Sequence, residues 1–267
     1  MSKKELVEIF SFNADVAKMI AESFDDLNVF KSFFKRAPLT IRTNLLKNSR
    51  ELLYNKLSQK VDLTYTEVSP FGLRLKVRIN ARQFDEFKKG LYEIQDEASQ
   101  LISLLIMAKP GDKVVDYCAG TGGKSLALMS VMQNSIKLEC YDVDRNKLSI
   151  LMRRAKVSNC EVKIIKKPKL KFYDWVLIDV PCSGLGSIRR DVDLNLRLGL
   201  DADKISTLLQ KQRMIMDNAV KFVRKGGHIV YVTCSILKRE NEDQVDYFLD
   251  KYKNLELIDV KTILDIL

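Results

Sequence analysis

The sequence has no C-x-x-C pair, a single histidine and no long apolar run. Its five cysteines are an odd number, which argues against a disulfide framework and a structural zinc site and fits a reducing cytoplasm. No apolar stretch approaches the length needed to span a bilayer. The opening residues, Met1-Ser2-Lys3-Lys4-Glu5-Leu6, lack the apolar core and small-residue cleavage site of a signal peptide. The only histidine, His228, follows Gly226-Gly227 and has no partner at motif spacing, so a surface position suits it better than a general-base role. There is no internal repeat and no low-complexity segment.

What is present is globular in character: 46% hydrophobic and 30% charged residues over 267 positions, enough for one large domain with a small one. The net charge is +10 and unevenly spread. Residues 31–60 carry eight Lys or Arg and a single acid, Glu51; a second cluster is Lys163, Lys166, Lys167, Lys169 and Lys171. Such an excess suits a polyanionic partner, and a solvated lysine-rich surface explains it equally well.

Residues 3–36 read as helical, with Leu6, Phe10 and Val16 near helical spacing and Pro38 beyond the end. A strand at Leu39–Asn44, a helix capped by Ser49 and running to Leu57, and short strands near Leu63–Val68 and Leu73–Ile79 complete a small α+β unit ending near residue 90. From residue 91 the pattern changes. A helix near Asp96–Ala108 leads into strands at Lys113–Cys118, Ile136–Val143, Val162–Ile165, Phe172–Val180, His228–Thr233 and Leu255–Val260. Helices alternate with them at Lys124–Met132, Arg145–Val157, Ala202–Val223 and Asn241–Tyr252. That alternation predicts a mostly parallel sheet covered on both faces.

Two cysteines end apolar runs: Cys182 in Asp179-Val180-Pro181-Cys182-Ser183-Gly184, and Cys234 in Tyr231-Val232-Thr233-Cys234-Ser235. Each falls at the C-terminal end of a buried strand, where open parallel sheets bind ligands. Two thiols and the Asp179 carboxylate point to thiolate chemistry on an electrophilic substrate. A single cysteine would be read as a small buried hydrophobe, and Cys118, Cys140 and Cys160 are read that way; Trp175 is read as core.

A second element, Asp116-Tyr117-Cys118-Ala119-Gly120-Thr121-Gly122-Gly123-Lys124-Ser125, follows a strand and opens a helix. Glycines let a backbone approach a ligand, and the helix start offers N–H groups to it. A phosphate-binding P-loop would need glycine where Cys118 stands, and a dinucleotide fingerprint would need a small apolar residue where Ser125 stands. A third, competing reading is S-adenosylmethionine, whose ribose needs a carboxylate at the end of the next strand, a nucleoside signal shared with NAD binders. Asp142, in Cys140-Tyr141-Asp142-Val143-Asp144, ends the next strand and can accept the ribose hydroxyls, although Asp142 or Asp144 can also simply cap the following helix.

Taken with Pro38–Lys47, Gly90–Leu101, Gly186, Arg189-Arg190, Gln212, Gly226–Ile236 and Glu240-Asn241-Glu242, these elements resemble the RsmB/NOP/Sun family of S-adenosylmethionine-dependent RNA cytosine-C5 methyltransferases. The likeness runs from about Ala37 to Leu249, and the Pro-Cys and Thr-Cys pair is its most specific part. It implies an α/β fold: a Rossmann-like class I methyltransferase sheet over 91–267 with a small N-terminal α+β, RNA-binding domain over 1–90. It implies that Cys118, Ala119, Gly120, Thr121, Gly122, Gly123 and Lys124 hold the methionine part of the donor, Asp142 its ribose, and that Asp179 lies beside the sulfonium and the base. It makes Cys234 the nucleophile, Cys182 the residue that aids product release, and Lys124 a neighbour of the target base.

The sequence departs from the family pattern in three places. Thr121 replaces a usual proline. Lys166-Lys167-Pro168-Lys169 occupies a region that usually offers an acid to the adenine. The usual final hairpin is not found before Leu267. The expected function is an RNA cytosine-C5 methyltransferase acting on ribosomal RNA, cytoplasmic, with no metal and no membrane partner, monomeric in the simplest case. The alternative is a catalytically impaired RNA-binding or ribosome-assembly factor that keeps the fold; a pure binder, however, needs neither thiol.

Overall fold

The computed structural model describes residues 2–10, 12–191 and 199–264. Contacts divide the chain into two compact units, and the division is not a cut near residue 90. One unit gathers residues 1–37, 180–218 and 231–259; the other gathers 38–179, 219–230 and the last residues from Val260.

The second unit contains the smaller sheet and the larger one up to Val230. The smaller is antiparallel: β1 (Leu39–Thr43), β2 (Leu63–Tyr65), β3 (Gly72–Leu75) and β4 (Tyr92–Ile94) lie in the order β2-β3-β1-β4. Ser49 caps α3 (Arg50–Ser58) by accepting from the Leu52 N–H, and Leu53 and Leu57 from that helix pack with Ile41, Leu73 and Tyr92 in a core of its own. Strand β4 falls where the sequence showed only the approach to a helix; three residues are too few for an alternation to register.

The larger sheet runs β7-β6-β5-β8-β9, from β5 (Lys113–Asp116), β6 (Lys137–Cys140), β7 (Val162–Ile164), β8 (Tyr173–Asp179) and β9 (Val223–Val232). Helices α6 (Gly123–Val131) and α7 (Arg145–Ser158) connect β5, β6 and β7, whose ladders are parallel. Val114, Val115, Val176, Leu177 and Ile178 are buried within it, as a sheet covered on both faces requires. The register sets Asp116 opposite Cys140 and Leu177. Asp116, Asp142 and Asp179 therefore come at the C-terminal ends of three adjacent strands. β9 starts at Val223, earlier than the glycine pair suggested. A Cβ on Gly227 would come 2.8 Å from the Asp174 carbonyl, so only glycine fits beside β8 here. His228 is half-buried and stacks on Trp175 with ring centroids 4.2 Å apart, in place of the surface position expected for it.

The first unit is helical: α1 (Lys3–Phe10), α2 (Ala14–Glu22), a 3-10 turn over Leu27–Phe34, most of α8 (Ala202–Phe222), and α9 (Glu242–Lys251). The helical reading of 3–36 thus resolves into three pieces; Val16 is buried, while the side chains of Leu6 and Phe10 lie outside the described residues. Val16, Ile20, Phe30, Leu185, Ile205 and Leu237 share one core. Leu255–Val260 is not a strand. Leu257 and Ile258 are 68% and 50% exposed, and a short helix, α10 (Val260–Leu264), follows.

Candidate active site

In the first unit the two thiols meet. Cys182 Sγ lies 3.2 Å from Cys234 Sγ and accepts from the Cys234 N–H at 3.3 Å. The Val180 N–H donates to the Val232 carbonyl at 3.0 Å, and the Gly186 N–H to the Cys234 carbonyl at 2.9 Å, so backbone ties bracket the pair. A Cβ on Gly186 would lie 2.8 Å from that carbonyl, which explains the glycine.

Beneath the pair sits a buried carboxylate whose role the sequence did not reveal. Glu240 has no solvent exposure. It accepts from the Ser183 N–H at 2.9 Å, from the Ser183 hydroxyl at 2.5 Å and from Gln212 Nε2 at 2.9 Å. Gln212 Nε2 also donates to the Pro181 carbonyl at 3.1 Å. Tyr231 Oη donates to the Glu240 carbonyl at 2.8 Å, and Gln244 Nε2 reaches Gln212 Oε1 at 3.2 Å. The residues on either side of Cys182, Pro181 and Ser183, are thereby fixed. Buried networks of this kind rigidify when every member is satisfied.

The Cys182 thiol is pushed far above the usual thiol range, first by its hydrogen bond with Cys234 and then by burial. Either sulfur can donate to the other across the 3.2 Å contact. The hydrogen-bond cause resides in the pair, whereas burial acts on Cys182 whatever Cys234 is bonded to.

The second unit carries the glycine turn. Gly120 (φ +51°) has nothing within 4 Å of an added Cβ, so the turn faces open space. Gly122 (φ +89°) caps α6 and would drive a Cβ to 2.6 Å from Leu151 Cγ. The Asp142 carboxylate accepts from the Gly120 N–H and the Asp144 N–H, each at 2.8 Å, which leaves lone pairs on both oxygens. Helix capping falls to Asp144, which accepts from the Asn146 N–H. The capping alternative is therefore met by Asp144, and Asp142 is not needed for it. Val143, beside Asp142, is 85% exposed.

Lys124 and Asp179 form an ion pair at 2.5 Å. The lysine is thus engaged by a carboxylate. Asp116, buried at the end of β5, accepts from the Ser125 hydroxyl at 2.6 Å, while its Oδ1 has no partner among the described residues. Burial pushes its carboxyl up to about 7. Burial also raises the thiols of Cys118, Cys140 and Cys160, which suits inert packing roles. Ala119, Thr121 and Gly123 occupy the turn; the Thr121 carbonyl and hydroxyl accept from Arg154.

The basic run over 31–60 does not form one patch. Arg42 is buried against Gln95, Arg50 donates to the Gly72 and Thr66 carbonyls, Lys47 to those of Lys89 and Val157, and Lys60 pairs with Glu86. Half of its eight charges are structural. In the other cluster Lys163 pairs with Glu139 and Lys169 lies over the Phe172 ring.

A parallel sheet with a glycine turn after its central strand and an acid ending the next defines a Rossmann-like methyltransferase domain. The solved structure of PH0851 superposes with a TM-score of 0.87 at 30% identity, covering 94% of this chain and 59% of that one. A methyltransferase homolog protein from Pyrococcus horikoshii shares the fold, with a TM-score of 0.79 at 24% identity, covering 94% and 84%. A family model described as 16S rRNA methyltransferase RsmB/F matches residues 103–265, and the chain belongs to that family. The "Probable ribosomal RNA small subunit methyltransferase B" of Synechocystis sp. is 31% identical over 240 residues, which cover 84% of this chain and 52% of the relative. The chain thus spans about half the length of the curated relatives it matches.

Proposed function

We propose that the chain is an S-adenosylmethionine-dependent RNA cytosine-C5 methyltransferase acting on ribosomal RNA, with Cys234 as nucleophile. The observation that carries the reading is the thiol pair, 3.2 Å apart on a fully satisfied buried network. A protein that only bound RNA would have no use for it, which weighs against an impaired assembly factor.

Carbon 5 of cytosine is too weak a nucleophile to be methylated unaided. A thiolate adding at carbon 6 moves electron density to carbon 5. A hydrogen bond donated to ring nitrogen 3 stabilises the adduct, and in the Lys124–Asp179 pair the ammonium is the group able to donate it, with Asp179 holding it in place. In this reading Cys182 is the donor to the Cys234 sulfur in the resting pair, 3.2 Å away, which favours the Cys234 thiolate. After addition Cys234 is a thioether; Cys182 must then release its own proton to solvent, and as a thiolate it takes the carbon-5 proton once carbon 5 carries the methyl group. Loss of that proton lets the Cys234–carbon-6 bond break.

The glycine turn fits the donor. Gly120 faces open space, and the lone pairs on Asp142 remain for the ribose hydroxyls. Cys118, Ala119, Thr121, Gly122 and Gly123 shape that turn, and Lys124 and Asp179 stand at its helix and the next strand. When bound, S-adenosylmethionine supplies an electrophilic methyl group. A thiolate mechanism works only while Cys182 and Cys234 stay reduced, which suits a cytoplasmic site of action. The target base has to leave its stack to reach the thiols.

Bisulfite sequencing of RNA from cells with and without the gene tests the reading. A cytosine that is protected only when the chain is present supports it. An unchanged methylation map, with RNA binding intact, leaves the assembly-factor alternative in its place.

A further inference from the structure

A groove of about 690 Å³ lies within the second unit, between α4 (Asp85–Lys88) with β4 on one side and α7 on the other. Its lining holds four cations, Arg82, Lys88, Arg153 and Arg154, against one carboxylate, Glu93, and it reaches Thr121 of the glycine turn. Glu93 is already spent, since it pairs with Arg154 at 2.9 Å. Arg82 and Arg153 are exposed and have no ion pair among the described residues. Lys88 has only an exposed contact of 3.4 Å with Asp85.

The wall contributed by α7 is unusual in composition. Its 14 residues include five Lys or Arg and no acid. Ile150 and Val157, 37% and 44% exposed, share the groove with Arg153 and Arg154. A face that alternates cations with exposed aliphatic surface suits an occupant that is anionic along its backbone and apolar between charges. A single nucleic-acid strand has that character; free phosphate does not.

The walls are also fixed to each other. Asn44 Nδ2 donates to the carbonyls of Gly90 and Ser158, at 2.8 Å each, and Lys47 Nζ to those of Lys89 and Val157. Gly90 (φ +70°) approaches so closely that a Cβ would lie 2.4 Å from the Val157 carbonyl. The groove is preorganised, and its occupant does not have to assemble it.

We infer that this groove holds a single-stranded segment of the RNA substrate, with its phosphates on Arg82, Lys88 and Arg153 and its bases or riboses against Ile150, so that the strand runs past the donor turn. The inference rests on the RNA methyltransferase reading and adds to it the path of the strand. Arg154 is not a free contact, being tied to Thr121 and Glu93.

Fluorescence anisotropy of a labelled single-stranded RNA 12-mer across a KCl series tests it with the full chain. The R82Q/R153Q variant should lower the log–log salt slope by about 1.4, close to 0.7 for each lost phosphate contact on a single strand. I150E, which places a carboxylate at a half-exposed position, should weaken binding at least tenfold. K109Q/K225Q, which removes two exposed charges at the N-terminal end of the sheet's strands, should leave the slope in place. Calorimetry with S-adenosylmethionine should give unchanged donor affinity in every variant, which shows that each is folded. Wild-type binding with a normal salt slope that R82Q/R153Q leaves unaltered overturns the groove and spares the RNA reading. No salt-dependent RNA binding by the unsubstituted chain overturns both. Displacement of a polyglutamate probe from the groove, with RNA binding unaffected by the substitutions, overturns the RNA assignment in favour of an acidic protein partner.

Discussion

Glu240 offers the sharpest test of how the thiol pair is held. It is wholly buried and takes three donors: the Ser183 N–H, the Ser183 hydroxyl and Gln212 Nε2. Glu240→Gln keeps shape and one acceptor oxygen. The Ser183 hydroxyl can then turn its hydrogen to Ser235 Oγ, 3.0 Å away, and accept from the new amide. What is lost is charge assistance, and the cost is about 1–3 kcal/mol. Glu240→Ala leaves all three donors unsatisfied at about 1–3 kcal/mol each and adds a cavity, so it should cost at least ~3 kcal/mol more than the glutamine variant. Urea unfolding followed by circular dichroism measures both. Glu240→Gln should still hold Cys182 beside Cys234 and form adduct; Glu240→Ala, if it folds, should not. Equal losses in the two variants, or a loss under ~1 kcal/mol in the alanine variant, would refute the reasoning.

Asp142→Ala should weaken S-adenosylmethionine by about 1.5–3 kcal/mol, roughly ten- to over a hundredfold, because bonds to a charged acceptor are lost; calorimetry with unchanged affinity rejects the ribose assignment. Asp116 gives a pH signature. Its carboxyl rises from 3.8 to about 7 on folding, so the stability associated with its protonated form is fully present below pH 3.8 and is lost as pH rises through about 7. Relative to wild type, Asp116→Asn should therefore gain stability between pH 4 and 7, and a difference that stays flat over this window contradicts the burial argument.

Much of the larger sheet was legible because each strand is a β-branched run followed by a helix of regular period. The glycine turn was legible because Gly120 and Gly122 need φ values that favour glycine. Caps were legible too: Ser49 and Asp144 do what short polar residues do at helix starts. Strand β4 was hidden by its length. Leu255–Val260 was misread because local apolarity carries no information about a neighbouring strand, and exposure of Leu257 and Ile258 shows that the segment has no sheet to join among the described residues. Charge counting over 31–60 is incomplete for a related reason, since a count cannot separate Arg42, with 1% exposure, from a solvated lysine. Glu240 and Gln212 stood in the family pattern without a role. Their function lies in contacts with residues 57 and 31 positions away, at Ser183 and Pro181, which no local spacing encodes.

The central claim is that the two thiols, identical in chemistry and 3.2 Å apart, do different work. It is tested by incubating Cys182→Ala and Cys234→Ala with labelled RNA and S-adenosylmethionine and running both on a denaturing gel. If Cys234 attacks carbon 6 and Cys182 removes the carbon-5 proton, Cys182→Ala stalls as a covalent protein–RNA band and Cys234→Ala gives none while still binding donor. A band from Cys234→Ala with none from Cys182→Ala reverses the roles, and full activity in both variants without a band contradicts the thiolate mechanism.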